Sequence, residues 1–318
     1  MEAIILVGGF GTRLRPLTLS IPKPLLPLAN IPMVERMIMN LPEKFDTAIL
    51  AVNYGLDEMI EYFKKRELDR KIIIVPEKEP LGTGGAIRNC HKYITGTTAV
   101  FNGDVVSSIN LEEMLEFHTE KKAKGTLALW EVDNPSRFGV VEFRKNRILQ
   151  FQEKPERGTE LSNLINAGTY LLEPEIIELI PPKEKISIER DIYPKIAGKD
   201  LFGFPFKGYF IDAGTPASYL EANQLVLGND GTASHEGASI RGSVLIDKSA
   251  KIKDCIIGPN AIIGPNVELE KCVVRKSVIL SDVKGYGGVV EKSIIGPEIS
   301  FDTDIEQTLI SPEGQRKF

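Results

Sequence analysis

The 318-residue chain carries 44 acidic against 39 basic residues, for a net charge of −5, and that balance argues against a general nucleic-acid binder, which presents a basic face. Its 42% hydrophobic and 26% charged residues are those of a globular chain, long enough for about two domains. No apolar run approaches the ~20 residues of a membrane span, and the N-terminus lacks a signal-peptide pattern, so no membrane partner is expected. Three cysteines, Cys90, Cys255 and Cys272, with no C-x-x-C spacing, fit a reducing, cytoplasmic setting rather than a disulfide or zinc framework. Only three histidines are present, so histidine-centred chemistry is not expected.

In chain order, short β-branched runs at 3–7, 48–52, 71–75 and 99–101 alternate with helical stretches at 33–41, 56–66 and 85–91. This alternation predicts a mostly parallel sheet covered on both faces. A helix over 111–121 has Asn110 as its N-cap. Strands then cluster at 126–132, 139–143, 148–151 and 167–172. Helices return at 174–180, 188–197 and 216–227, with Pro174 and Pro216 in first turns that tolerate proline. The polar stretch 228–234 reads as a linker, which divides the chain into 1–228 and 229–318.

Beyond the linker the helical period is lost. Aliphatic residues recur about six apart, as at Ile240, Ile246 and Ile252. Val273-Val274-Arg275-Lys276-Ser277-Val278-Ile279 matches Val289-Val290-Glu291-Lys292-Ser293-Ile294-Ile295 sixteen residues on. Such spacing predicts a left-handed parallel β-helix of hexapeptides, irregular after Leu280. Gly258-Pro259-Asn260 and Gly264-Pro265-Asn266 supply corner turns. Cys255 and Cys272 would stack on adjacent coils as small core residues. The flat aliphatic faces and an open end predict a homo-oligomer. Hexapeptide helices also occur in acyltransferases, but those commonly use a histidine between coils, and here only His235 lies nearby, in the linker.

The first strand runs into Gly8-Gly9-Phe10-Gly11-Thr12-Arg13-Leu14-Arg15. Glycines there let backbone N–H groups approach a phosphate closely. The run is neither a P-loop nor a dinucleotide fingerprint: it has no G-x-x-x-x-G-K-[ST], it lacks the third glycine of G-x-G-x-x-G, and strand 48–52 does not end in an acidic residue. Arg13, Arg15 and Lys23 follow within fifteen residues of the glycines. Prolines on both sides of Lys23 hold its segment out of a helix. A rigid cationic loop beside a backbone cradle suits a nucleoside triphosphate.

The run Gly8 to Thr18, followed by Pro22-Lys23-Pro24, resembles the opening signature of the sugar nucleotidyltransferases, the nucleoside-diphosphate-sugar pyrophosphorylases. The resemblance continues at Glu79-Pro80-Leu81-Gly82-Thr83-Gly84-Gly85, Phe101-Asn102-Gly103-Asp104, Phe138-Gly139-Val140, Glu153-Lys154-Pro155 and Asn166-Ala167-Gly168. It extends to Ser187-Ile188-Glu189 and to Tyr209-Phe210-Ile211-Asp212-Ala213-Gly214-Thr215-Pro216. These last two runs look most like mannose-1-phosphate guanylyltransferases. The fold implied is α/β, a Rossmann-like mixed-sheet nucleotidyltransferase domain with a C-terminal β-helix.

The activity implied joins a nucleoside triphosphate to a sugar 1-phosphate and releases pyrophosphate, most simply GTP and mannose 1-phosphate giving GDP-mannose. A UTP- or dTTP-dependent glucose-1-phosphate enzyme, or a non-catalytic regulatory subunit, are the alternatives. By the same resemblance Mg²⁺ is the cofactor, held by Asp104 and Asp212. Gly8, Gly9, Gly11, Thr12, Arg13, Lys23, Gly82 and Thr83 bind the nucleotide, with Arg13, Lys23 and Asp104 catalytic. Gly139, Glu153, Lys154, Asn166 and Gly168 hold the sugar phosphate. For the base, a carboxylate can accept both guanine N1–H and N2–H; Glu79 is the first choice and Glu77, two residues earlier, the second.

Overall fold

The computed structural model describes all residues except Asn229, Asp230 and Ala233, so part of the 228–234 linker lies outside the described residues. Contacts divide the chain into two compact units. One comprises Met1–Gly9 and Met37–Phe210; the other comprises Phe10–Arg36 and Ile211–Phe318. Residues 10–36 and 211–228, which sequence places in the first segment, thus group with the β-helix.

The first unit is built on a nine-stranded mixed sheet. In chain order its strands are β1 (Glu2–Leu6), β2 (Thr47–Val52), β3 (Lys71–Pro76), β4 (Thr98–Asn102), β5 (Gly125–Glu131), β6 (Gly139–Arg144), β7 (Arg147–Glu153), β8 (Leu164–Leu172) and β9 (Leu201–Pro205). Their spatial order is β3-β2-β1-β4-β8-β5-β9-β7-β6. The first four are parallel, β8 runs antiparallel to β4 and β5, and β9 is parallel to β5. Ala3, Ile4 and Ile5 are fully buried, as a central strand covered on both faces requires. Ile49 and Ala51, two residues apart in β2, share one face and pack with Ile4, Ile87 and Val100. Asn110 caps the helix Leu111–Glu120 by accepting from Glu112 N–H and Glu113 N–H at 3.1 and 3.3 Å, a cap worth about 1 kcal/mol.

Short strands not expected from sequence occur at Pro27–Leu28, Ile31–Pro32 and Val105–Ser107, and two larger elements also differ from expectation. No strand is predicted over 201–205, where Gly203 and Pro205 interrupt a short apolar run without β-branched residues. The segment nevertheless pairs in register with β5, and Gly203 is required because an added Cβ would strike Leu129 and Phe143. The predicted helix over 188–197 is a wide turn, Ile188–Ile192, followed by one short helix, Tyr193–Ile196.

In the second unit the helix Pro216–Leu227 opens with a reciprocal cap: Thr215 Oγ1 accepts from Ser218 N–H, and Ser218 Oγ accepts from Thr215 N–H. This helix anchors the 10–36 segment. Buried Asn223 accepts from Ala29 N–H at 3.0 Å, and Tyr219 OH donates to Pro27 O. The rest is a parallel β-helix of three sheets. Coil partners lie seventeen, seventeen, sixteen and fifteen residues apart in turn, at Ala238↔Cys255, Ile256↔Val273, Val273↔Val289 and Val290↔Ile305. The repeated serine has a specific role. Ser277 Oγ accepts from Ser293 N–H, and Ser293 Oγ accepts from Thr308 N–H, one coil to the next. Cys255 and Cys272 stack likewise, with Cys272 N–H 3.4 Å from Cys255 Sγ. The predicted open end is covered on one sheet: the strand Gly314–Lys317 folds back antiparallel onto Thr308–Ser311.

All three cysteines are free and at most 3% exposed, and burial pushes the Cys90 thiol up to about 12. The native protein should therefore show no rapid thiol titration with a disulfide reagent, and three thiols should react after denaturation.

Candidate functional site

In the first unit the carboxyl ends of β1 and β4 are neighbours, with Leu6 paired to Asn102. Gly8 and Gly9 leave β1 there, and Asn102-Gly103-Asp104 leaves β4. Gly103 donates to Leu6 O at 3.0 Å, and a Cβ on Gly103 would meet that same carbonyl at 2.6 Å. Only a residue without a side chain allows this approach, which sets Asp104 at the strand ends where α/β sheets take ligands.

Nothing lies within 4 Å of a Cβ added to Gly9, whereas one on Gly8 would lie 3.7 Å from Glu77 Oε1. Glu77 is half-buried, and its Oε2 accepts from Leu81 N–H at 3.0 Å. Burial holds its carboxyl above the usual glutamate range, partly offset by that N–H. Glu79 is exposed. Of the two candidate base readers, Glu77 is the one turned towards the glycine loop.

Gly82 and Thr83 are engaged by the protein itself. Gly82 has φ +71°, and a Cβ there would strike Ile186 O. The N–H groups of Gly84 and Gly85 donate to the same carbonyl at 2.9 and 3.2 Å. Thr83 Oγ1 donates to Glu189 Oε2 at 2.5 Å and accepts from Ile188 N–H at 3.0 Å. The glycines thus let segment 184–188 cross the helix Gly82–Asn89 at backbone distance.

Glu189 is the residue that sequence quotes in a motif without assigning it a role. It is 8% exposed and accepts from Thr83, from Ser187 Oγ at 2.7 Å and from Tyr170 OH at 3.5 Å. Tyr170 in turn accepts from Asn166 Nδ2 at 3.0 Å, and Asn166 Oδ1 accepts from Gly168 N–H at 3.0 Å. β8 is irregular between Asn166 and Tyr170, and Gly168, at φ +69°, lies against Asn102. Such bulges re-aim side chains beside sites.

Gly139 pairs with Glu153 across β6 and β7, where a Cβ would strike Phe151 and crowd Glu153 Oε2. Burial raises the Glu153 carboxyl, against the lowering effect of Lys154, and the Glu189 charge adds to the rise. Lys154 Nζ is 3.3 Å from Glu153 Oε1, and its backbone has φ 48°.

The second unit holds the rest. Gly11, at φ +60°, leads into the turn Thr12–Leu14. Thr18 Oγ1 donates to Gly11 O at 2.8 Å, and a Cβ on Gly11 would meet Thr18 and Lys23. Lys23 is 8% exposed, in the turn Lys23–Leu25. Arg13 Nη2 lies 3.5 Å from Asp212 Oδ2. Both side chains keep substantial exposure, so the pair is worth only about 0–1 kcal/mol to stability. What accommodates the guanidinium is Gly214, where a Cβ would lie 2.3 Å from Arg13 Nη2 and 2.6 Å from Asp212 Oδ1. Asp212 Oδ1 is buried with no hydrogen-bond partner.

The sequence profile of the family described as "Nucleotidyl transferase" matches residues 2–229. The chain belongs to the nucleotidyl transferase family. A second profile, "GMPPB C-terminal domain", matches residues 240–310 of this transferase. Mannose-1-phosphate guanylyltransferase 1 of Arabidopsis thaliana is 39% identical over 317 residues, spanning 93% of this chain and 86% of that protein. Mannose-1-phosphate guanyltransferase 2 of Candida glabrata is 39% identical over 265 residues, spanning 79% and 73%. Among solved structures, HddC from Yersinia pseudotuberculosis complexed with GMP-PN is 34% identical, with a TM-score of 0.60 over 71% of this chain and 99% of that one.

The raised Glu77 carboxyl has a consequence for pH dependence. The native state keeps this proton to higher pH than the unfolded chain does. Its contribution to stability is therefore full below the ordinary value of 4.5 and is lost as pH rises through the native value. In Glu77→Gln that loss is absent. Urea melts should show the variant gaining stability over the parent at pH 7 and losing that gain near pH 4.

Proposed function

We propose that this transferase joins GTP to mannose 1-phosphate, giving GDP-mannose and pyrophosphate. The observation that carries the reading is the 39% identity, across 93% of this chain, to a mannose-1-phosphate guanylyltransferase, together with the presence of Arg13, Lys23, Asp104, Lys154 and Asp212. A phosphate oxygen of the sugar phosphate attacks the α-phosphorus in line. A new P–O bond forms, the α–β bridging bond breaks, and its electron pair leaves on pyrophosphate. The attacking phosphate is already an anion, so no general base is needed; the work is positioning and charge neutralisation. His118, buried between Thr126 and Glu173, is accordingly structural.

In this reading Gly8, Gly9, Gly11 and Thr12 offer backbone N–H groups to the triphosphate. Arg13 pairs with the β- and γ-phosphates, and Lys23 supports the α-phosphate. Glu77, rather than Glu79, takes the guanine N1–H and N2–H: it is half-buried and already oriented by Leu81 N–H, so less side-chain freedom is lost on binding. Lys154 holds the sugar phosphate, Glu153 takes sugar hydroxyls, and Gly139, Asn166 and Gly168 line the sugar. Glu189 positions Thr83 and Tyr170 beneath them.

Asp212 suits Mg²⁺ through its unpartnered Oδ1, and in this reading it would hold the ion together with Asp104. Mg²⁺ is held by few carboxylates, with substrate phosphates and water completing the shell. Mg²⁺ would supply charge neutralisation on the phosphate oxygens. A homo-oligomer assembled through the β-helix, and a reducing cytoplasmic setting, complete the proposal. Three unpaired buried thiols support the setting. Among the described residues no helix is long and apolar enough to cross a membrane.

The test is pyrophosphate release over a grid of GTP, UTP, dTTP and ATP against mannose, glucose, fructose and glucosamine phosphates. The GTP and mannose 1-phosphate cell should dominate. Chelation should abolish release, Mg²⁺ should restore it, and Asp104→Asn should remove most of it in a folded protein. A dominant UTP or dTTP cell with glucose 1-phosphate, or a fully active Asp104→Asn, would overturn the corresponding assignment.

A further inference from the structure

We propose that Arg316, in the strand Gly314–Lys317, is a positioning residue for Arg13, so that the β-helix unit completes the triphosphate loop. Arg316 Nη2 donates to the backbone carbonyl of Arg13, 303 residues away in the chain. That carbonyl needs an outside donor. In the turn Thr12–Leu14, Gly11 O accepts from Leu14 N–H and Thr12 O accepts from Arg15 N–H. Arg13 O is the next in the series, and a guanidinium supplies its donor. A cation at the carbonyl end of a helical turn is also electrostatically favoured.

The surroundings make this a built contact. The hairpin of Thr308–Ser311 and Gly314–Lys317 pairs Leu309 with Arg316 and Ser311 with Gly314, which fixes where the guanidinium starts. Its turn is tied down as well. Ser311 Oγ donates to Glu313 Oε2 at 2.7 Å, and Ser20 Oγ, on the 10–36 segment, lies 3.4 Å from that same oxygen. Arg316 Nε is buried without an acceptor, so the grip on the loop is through Nη2. The exposed ion pair to Asp212 touches only the side chain of Arg13; the Arg316 contact adds to the turn's own hydrogen bonds in fixing its backbone. Gly314–Lys317 lies beyond residues 240–310, the match to the C-terminal domain profile, so this contact is an observation of this chain.

The inference rests on the reading that Arg13 binds the triphosphate. The test is steady-state kinetics of the full chain as Arg316→Ala, Arg316→Lys and Arg13→Ala, with a thermal melt of each. In Arg316→Ala the KM for GTP should rise about tenfold, the scale of one hydrogen bond to a charged group. The KM for mannose 1-phosphate should stay within about twofold. Arg316→Lys, which keeps a cationic donor, should recover part of the loss. Amide exchange over residues 11–18 should quicken in Arg316→Ala while exchange in β1 stays unchanged.

An Arg316→Ala protein with parental GTP kinetics, beside an impaired Arg13→Ala, would overturn the positioning role alone. A fall in kcat that tracks lost folded protein, with both KM values unchanged, would also overturn it. Parental kinetics in Arg13→Ala would overturn the reading of Arg13, and this inference with it.

Discussion

The close approach of Arg13 to Gly214 is the constraint on which the second unit's site depends. A guanidinium lies where any side chain at position 214 would lie, beside a carboxylate with one oxygen unsatisfied. At about 0–1 kcal/mol an exposed ion pair cannot by itself hold a long side chain with several rotatable bonds. The arrangement is maintained from the backbone. Gly11 is packed by Thr18 and Lys23, the turn Thr12–Leu14 follows from it, and the helix Pro216–Leu227 anchors the segment through Asn223 and Tyr219. The prolines and glycines of the loop therefore do more than stiffen it. Gly11 lets the side chains of Thr18 and Lys23 close on the turn at distances that a side chain of its own would prevent.

The first unit solves a parallel problem with buried polar groups. A carboxylate such as Glu189 is costly to bury unless its oxygens are hydrogen-bonded. Here Thr83, Ser187 and Tyr170 satisfy it, and the same residues tie the helix Gly82–Asn89, the wide turn at 188–192 and the bulge of β8 together. Glu153 is raised in part by this neighbouring charge. Hydroxyl donors brought to Glu153 would relieve its desolvation, which agrees with the proposed sugar-binding role.

Much of this was legible in the sequence, for physical reasons that also explain the rest. Strands such as β1 and β2 announce themselves through β-branched runs, and the β-helix through a repeat whose serines and cysteines bond from coil to coil. β9 was hidden because Gly203 and Pro205 interrupt its pattern, although the glycine is there to clear Leu129 and Phe143. The grouping of 10–36 with 211–318 has no local signal, because it rests on contacts such as Ala29 to Asn223. Thr83 and Glu189 are 106 residues apart, so neither position alone shows that the threonine serves the glutamate. Nor does anything local in the sequence show that Leu81 N–H binds Glu77, the residue proposed to read the base.

The account is tested most directly by Gly214→Ala, compared with the parent in melting temperature and in kcat/KM for GTP. The displaced atoms are ends of flexible side chains, so the fold should survive with its melting temperature nearly unchanged. The guanidinium should move by an ångström or more, and kcat/KM should fall about a hundredfold, the scale of a small misplacement in a preorganised site. A folded Gly214→Ala protein with parental kcat/KM would contradict the claim that Arg13, held at that position, carries the triphosphate chemistry.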